Sequence, residues 1–239
     1  EDMDALKGWS EMMKPFIGSA TSSPDKYDQA QRGAVEMAGY FREVVRARRR
    51  EPGSDIISKL VLHKGTDPGL TEDEIIGCCM LFLFGGHETT TNLISNGMRA
   101  LMRFPEARAQ VLSNPELIRP AVEEILRFDG PTGGLVRVVK ESHEFRGRTL
   151  EAGQRIFAMV HAGNHDARKF ELPERFDIQR SPNHHLTFNY GPHFCLGAPL
   201  ARLEGQIALG RLVARFPGLE LTAPVKYMDT LVMRGVCEM

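Results

Sequence analysis

Apolar residues return every three or four positions through most of the first 130 residues, and this spacing predicts helices. Leu6, Trp9, Met12, Met13 and Phe16 share one face of a first helix. Ala34, Met37, Phe41, Val44 and Val45 share a face of a second, which Pro52-Gly53 stops. Thr71-Glu-Asp-Glu74 is a capping box, whose hydroxyl and carboxylate can satisfy orphan N–H groups at a helix start. No proline follows until Pro105, so residues 72–103 read as one rod of about 48 Å at roughly 1.5 Å per residue. Its front, Ile75 to Phe84, is apolar on every side and is expected to run through the interior. Pro105, Pro115 and Pro120 stand where first-turn prolines start short helices, the last carrying Ala121 to Phe128.

The texture changes at Leu135. Leu135 to Val139 and Arg155 to Val160 are short β-branched runs, with Arg146-Gly147 as a turn between them. Residues 162–196 are rich in His, Asn, Pro and Arg and have little periodicity; so long a loop is usually functional. A helical pattern returns through Leu200, Leu203, Ile207, Leu209 and Leu212 and ends at Phe216-Pro217-Gly218. The expected fold class is mainly α with small β-sheets, around a long buried central helix.

Composition narrows the function classes. The chain has 239 residues, 42% of them hydrophobic, and Lys+Arg 30 against Asp+Glu 31 leaves a net charge of −1. Nucleic acid is not an expected partner, because no basic excess exists to neutralise phosphates. No run reaches the ~20 apolar residues of a bilayer-spanning helix, so no membrane span is expected. The first residues, Glu-Asp-Met-Asp, carry neither an initiator Met nor a signal-peptide pattern and read as an internal position of a longer chain. Cys78, Cys79, Cys195 and Cys237 form no CxxC pair, which argues for free thiols in a reducing, cytoplasmic setting. Arg46, Arg48, Arg49 and Arg50 crowd the end of the second helix, where solvated cations complement the helix dipole.

Three groups of residues can carry chemistry. Phe188-Asn-Tyr-Gly-Pro-His-Phe-Cys-Leu-Gly197 is a glycine-bearing loop that delivers Cys195 just before a helix, where backbone N–H groups favour a thiolate. A buried structural cysteine is the plainer alternative. Gly191 and Gly197 instead make room for something large and flat to approach the backbone. Gly85-Gly-His-Glu-Thr-Thr90 places two glycines, an acid and a hydroxyl inside the central helix, at a cost of about 1 kcal/mol per glycine relative to alanine. The groove this opens beside Glu88 and Thr89 suits proton relay; a glycine packing notch is the rival reading. Glu124-Ile-Leu-Arg127 sets an acid and a guanidinium three apart on one helical face, a spacing that Glu43/Arg46 and Glu116/Arg119 repeat.

In this order, Gly-Gly-x-Glu-Thr, Glu-x-x-Arg, then Phe-x-x-Gly-x-x-x-Cys-x-Gly, the chain resembles the cytochrome P450 family, in particular its soluble bacterial type. The resemblance runs end to end. It implies that residues 1–239 are the C-terminal portion of a single domain of that family, with the N-terminal part lacking. The implied cofactor is heme b, sandwiched between the central helix and the cysteine loop, with Cys195 as the iron ligand. It further implies oxygen-activating roles for Thr89 and Glu88, and heme-propionate contacts for His193 and Arg137. Phe188, Gly191, Gly197, Gly85 and Gly86 would shape the heme-binding surfaces. Glu124 and Arg127 would form a buried ion-pair network with Arg175 of Pro173-Glu-Arg-Phe176. Leu81, Phe84, Thr132, Leu135, Val136 and Leu231 would line the substrate pocket.

The implied activity is monooxygenation of a small lipophilic substrate with dioxygen. Electrons would come from a ferredoxin-type donor with its reductase, since no flavin or nicotinamide fingerprint appears. Asn189 stands where the family usually has Gly, His165 where Arg is frequent and Ala167 where Pro is frequent; none removes a chemical group. Two other functions are open on the residues alone. One is a cysteine hydrolase pairing Cys195 with His184, His185 or His193, which leaves the glycine-rich helix without a role. The other is a non-catalytic truncated remnant that does not bind heme on its own.

Overall fold

The structure, a computed structural model, describes residues 2–18, 25–63 and 69–238. Helices α1 (Asp2–Gly18), α2 (Lys26–Arg50), α3 (Ile56–Leu62), α4 (Glu72–Arg103), α5 (Pro105–Ser113) and α6 (Ile118–Asp129) follow one another. The long helix α4 starts where the capping box puts it. Thr71 Oγ1 accepts from the Glu74 N–H at 3.2 Å, and the Glu74 carboxylate accepts from the Thr71 N–H at 2.8 Å. Pro105 opens α5 and Pro115 a 3-10 turn, whereas Pro120 lies third in α6. There its missing N–H is still one of the first-turn groups that have no intrahelical acceptor.

The chain divides into two compact units, Glu1–His87 and Glu88–Met239, with the boundary inside α4. In the first unit a Cβ on Gly33 would meet the Trp9 carbonyl oxygen at 2.8 Å, so only glycine lets α1 and α2 approach so closely. Met37, Phe41 and Val45 of α2 bury with Ile75, Ile76 and Cys79 of α4. The apolar front of α4 is buried on that side alone. Gly77, Leu81 and Gly85 are exposed, Leu81 at 65%. This corrects the expectation of an all-round interior segment: a helix buries only the faces that meet a packing partner, however apolar the others are. Near the end of α2, Arg48 pairs with Asp55 at 2.6 Å and Arg46 with Glu43 at 3.0 Å.

The second unit holds a core of Leu93 and Leu101 from α4, Val122, Ile125 and Leu126 from α6, and Leu209 and Val213 from α8 (Ala198–Arg215). Gly97 and Gly205 set the helix spacing. Added Cβ atoms would lie 2.7 Å from Leu209 Cδ1 and 3.2 Å from Leu93 Cδ2 respectively. The buried stripe of α8 is therefore Ala198, Gly205, Leu209 and Val213, while Leu200, Leu203 and Ile207 remain exposed.

Four short strands follow α6: β1 (Leu135–Val138), β2 (His143–Phe145), β3 (Arg148–Leu150) and β4 (Arg155–Ala158). β1 pairs antiparallel with β4, and β2 with β3 through a turn at Arg146 and Gly147, both left-handed. Val160 leaves the strand and begins α7 (Val160–Asn164). A third pair, β5 (Lys226–Tyr227) with β6 (Val236–Glu238), is too short to show a period in sequence. Among the described residues no helix is long and apolar enough to cross a membrane.

Candidate functional site

Between α7 and α8 the only regular element is a 3-10 turn, Gly191–His193, so side chains must hold this stretch in place. Glu124 and Arg127, both fully buried, meet through two parallel hydrogen bonds of 2.8 Å. Arg127 also donates to the carbonyls of Asn164, Pro173 and Arg175. Glu124 accepts from the Asp177 N–H at 2.9 Å, from Asn183 at 3.1 Å and from Arg180 at 3.3 Å. Arg175 thus enters the network through its carbonyl oxygen. Its guanidinium is exposed and lies 3.9 Å from Asp177, and the second guanidinium on Glu124 is that of Arg180. Sequence reasoning missed Arg180 because an irregular segment has no period from which to tell which arginine turns inward.

Cys195, a half-buried free thiol, sits at the end of this stretch. Its N–H donates to the Phe188 carbonyl at 2.9 Å and its own carbonyl accepts from the Ala198 N–H at 3.2 Å, which seats it at the start of α8. Phe188 is buried, and the turn after it needs left-handed backbone at Asn189 (φ 64°) and Gly191 (φ 72°). Asparagine is one of the few residues with a side chain that adopts this conformation readily. Here its Oδ1 accepts from the Tyr190 N–H at 2.8 Å and its Nδ2 donates to the His193 carbonyl at 3.3 Å, so the departure from glycine preserves the turn. A Cβ on Gly191 would meet nothing within 4 Å, and one on Gly197 only Cys195 Sγ at 3.9 Å. The flanking Phe194, Leu196 and Leu200 are exposed apolar side chains. His193 is exposed in the turn, and Arg137 is exposed on β1 with Nη1 on the Val136 carbonyl at 2.8 Å.

On α4, Glu88 is buried and Thr89 half-buried. Asn92, one turn further on, donates to Glu88 Oε1 at 3.4 Å and lies 3.7 Å from the Met228 sulfur. Gly235 presses so closely on Asn92 that an added Cβ would overlap its side chain. In the other unit, Cβ atoms on Gly85 and Gly86 would meet nothing within 4 Å. Among the described residues these two glycines therefore form an open surface and not a packing notch. Leu81 is exposed and Phe84 half-buried in that same unit. Thr132 bridges to Met233, the Gly133 N–H donates to the Val232 carbonyl at 2.9 Å, and a Cβ on Gly133 would meet the Leu231 carbonyl at 2.7 Å. Thr132 and the start of β1, with Leu135 and Val136, are thereby tied to the turn that carries Leu231.

A charged cluster that the sequence does not announce fixes this turn. The buried Asp129, the last residue of α6, accepts from Arg99 Nε at 3.1 Å and Arg234 Nε at 2.8 Å. The Tyr227 ring lies 5.4 and 5.2 Å from the two guanidinium carbons. Burial first, then the positive charge of Arg234, hold the His161 imidazole down at about 4. Between its ordinary pKa of 6.5 and about 4, the unfolded chain binds a proton at His161 that the folded chain refuses. Stability therefore falls as acid is added across that window, and His161 imposes no pH dependence above it. Urea-unfolding midpoints at neutral pH and at about pH 4.5 check this. The drop is expected to shrink in His161→Gln; an equal drop in that variant would assign it to other groups.

A thiol brought by a braced loop to a helix start, with open backbone and apolar side chains around it, is suited to bind the metal of a flat prosthetic group. The profile described as Cytochrome P450 matches residues 5–234, and the chain belongs to that family. It is 41% identical over 221 residues to a biotin biosynthesis cytochrome P450 of Bacillus subtilis, covering 92% of this chain and 55% of the relative. It is 40% identical over 226 residues to the putative cytochrome P450 YjiB of the same organism, covering 91% and 56%. The crystal structure of P450BioI in complex with hexadec-9Z-enoic acid ligated acyl carrier protein superposes with a TM-score of 0.93 at 40% identity, over 100% of this chain and 61% of that one. CYP109E1 from Bacillus megaterium, in complex with testosterone, gives 0.88 at 35% identity, over 100% and 65%. The chain spans little more than half the length of these curated relatives. The family implies heme b as the cofactor. The surroundings of Cys195 fit the cofactor, with a free thiol, two open glycine positions and exposed apolar side chains.

Proposed function

We propose that this chain is the C-terminal portion of one heme-thiolate monooxygenase domain, which inserts one oxygen atom of O2 into a small lipophilic substrate. Bound heme would supply the redox-active iron that activates dioxygen. Cys195 would hold the heme iron, its negative charge favoured by the N-terminal end of α8. His193 and Arg137, both exposed and able to donate, suit the propionates. The Thr89 hydroxyl would hold a proton at the oxygen side, and Glu88, oriented by Asn92, would replace it from solvent. Leu81, Phe84, Thr132, Leu135, Val136 and Leu231 would face the substrate. The fatty acid and steroid complexes of the two solved relatives support a lipophilic one. Electrons would come from a ferredoxin-type donor with its reductase, in the cytoplasm.

The observation that carries this reading is the seat of Cys195, tied back to Phe188 and opening α8. Spectroscopy of the heme-reconstituted, dithionite-reduced, carbon-monoxide-bound chain tests it. A thiolate-type Soret band is expected, and Cys195→Ala is expected to abolish it; a band that survives the substitution would move the ligand elsewhere. One observation favours a second reading, a remnant that does not hold heme alone. Leu203 and Ile207, large apolar side chains of α8, stand exposed. Heme titration that yields no Soret shift would support it.

A further inference from the structure

Two successive glutamates of α6 reach two successive stretches of the irregular segment before Cys195. Glu124 takes residues 177–183, as described above. Glu123 takes the next stretch together with α8. Its Oε1 accepts from Arg202 Nε at 2.7 Å, and its Oε2 accepts from Arg202 Nη2 at 3.0 Å, a bidentate pair. His185 Nε2 lies 3.1 Å from the same Oε2, and the His185 side chain is 3% exposed. Its other nitrogen, Nδ1, accepts from the Thr187 N–H at 3.3 Å, which assigns the ring proton to Nε2 and makes it a donor to Glu123. Burial raises the carboxyl's pKa, but the hydrogen bonds from His185 and Arg202 and the charge of Arg202 outweigh it and hold it at about 2.

Both partners of Glu123 bear on Phe188. The Arg202 guanidinium lies 4.5 Å above its ring, and the His185 ring is 5.7 Å from it. Phe188 in turn supplies the carbonyl that receives the Cys195 N–H. We infer that Glu123 is a positioning residue for Cys195, acting through Arg202, His185 and Phe188 without touching the sulfur. A neutral amide at 123 keeps the shape but presents a donor where two donors already point, so the bidentate pair and the His185 bond cannot both persist. Arg202→Lys would keep the charge and lose both the fork and the flat stack on Phe188. The carboxylate at 123 and the guanidinium at 202 therefore act as one unit.

This inference rests on the heme-thiolate reading only for its consequence. Its test separates the two. Amide hydrogen exchange of the 239-residue chain without heme is read over residues 189–196 and over 177–183. Glu123→Gln is expected to speed exchange at the Cys195 amide about tenfold or more while the stretch held by Glu124 keeps its protection. Arg202→Lys is expected to give the same pattern, and it serves as the readout should Glu123→Gln fail to fold. No change at the Cys195 amide, or an equal rise in both stretches, overturns the inference. If the heme-loaded wild type shows the thiolate band, Glu123→Gln is expected to raise the protonated-thiol fraction severalfold, and equal fractions also overturn it. A wild type without that band sinks the functional reading and leaves the exchange result to judge Glu123.

Discussion

Glu124→Gln is expected to destabilise the chain by about 3–5 kcal/mol, a large part of the roughly 5–15 kcal/mol that holds a domain folded. The carboxylate is fully buried and accepts from Arg127 twice and once each from Asp177, Arg180 and Asn183. An amide removes the one negative charge facing two guanidiniums and turns an acceptor into a donor. Arg127 has no exposure through which to recover water, so its charge is left uncompensated. The same physics predicts that Glu124→Leu combined with Arg127→Met costs less than Glu124→Gln alone, since the double replacement removes the fully buried guanidinium together with its carboxylate. It would still leave Arg180, whose guanidinium retains the carbonyls of Glu171, Leu172 and Arg175. Urea-unfolding midpoints of the three proteins decide the matter. A Glu124→Gln protein within about 1 kcal/mol of wild type would mean that the arginines relax to solvent on losing their partner.

What could be read from the sequence follows the range of the interactions. The start of α4 was legible because a capping box is closed by atoms three residues apart, and its end because Pro105 prevents continuation. The cysteine loop was legible because its glycine spacing and following helix are local. So was the pairing of Glu124 with Arg127, one turn of one helix. The partners that complete the clusters were not. Glu123 and Arg202 are 79 positions apart, Glu124 and Arg180 are 56, and Asp129 and Arg234 are 105. Charges so spaced look in sequence like any solvated pair. The face of α8 was misleading for a different reason. Leu200, Leu203 and Ile207 carry the helical period, yet Gly97 and Gly205 bring the backbones together on the other side. Close approach is made there by residues with no side chain, which a hydrophobic pattern cannot register.

Asp129→Asn is the second substitution with a large expected effect, about 2–3 kcal/mol. Asp129 is 1% exposed beside Arg99 at 11% and Arg234 at 33%, so one of its two cations can partly rehydrate and the other cannot. That places the loss below the one at Glu124. The damage should concentrate in the turn around Leu231, because Arg234 joins the cluster by its side chain while its N–H donates to the Pro131 carbonyl. His161 reports on the electrostatics separately from stability. Arg234 pushes its pKa down and Asp129 pushes it up, so removing either charge shifts the titration in a defined direction. NMR titration of His161 is expected to move to lower pH in Asp129→Asn and to higher pH in Arg234→Gln. Shifts of opposite sign would show that the three groups interact through charge in an intact cluster. If both variants move the titration upward, toward that of an exposed histidine, the cluster has opened to water and burial is the dominant cause of the depressed value. In that case Asp129 would be holding the turn closed more than balancing its charge.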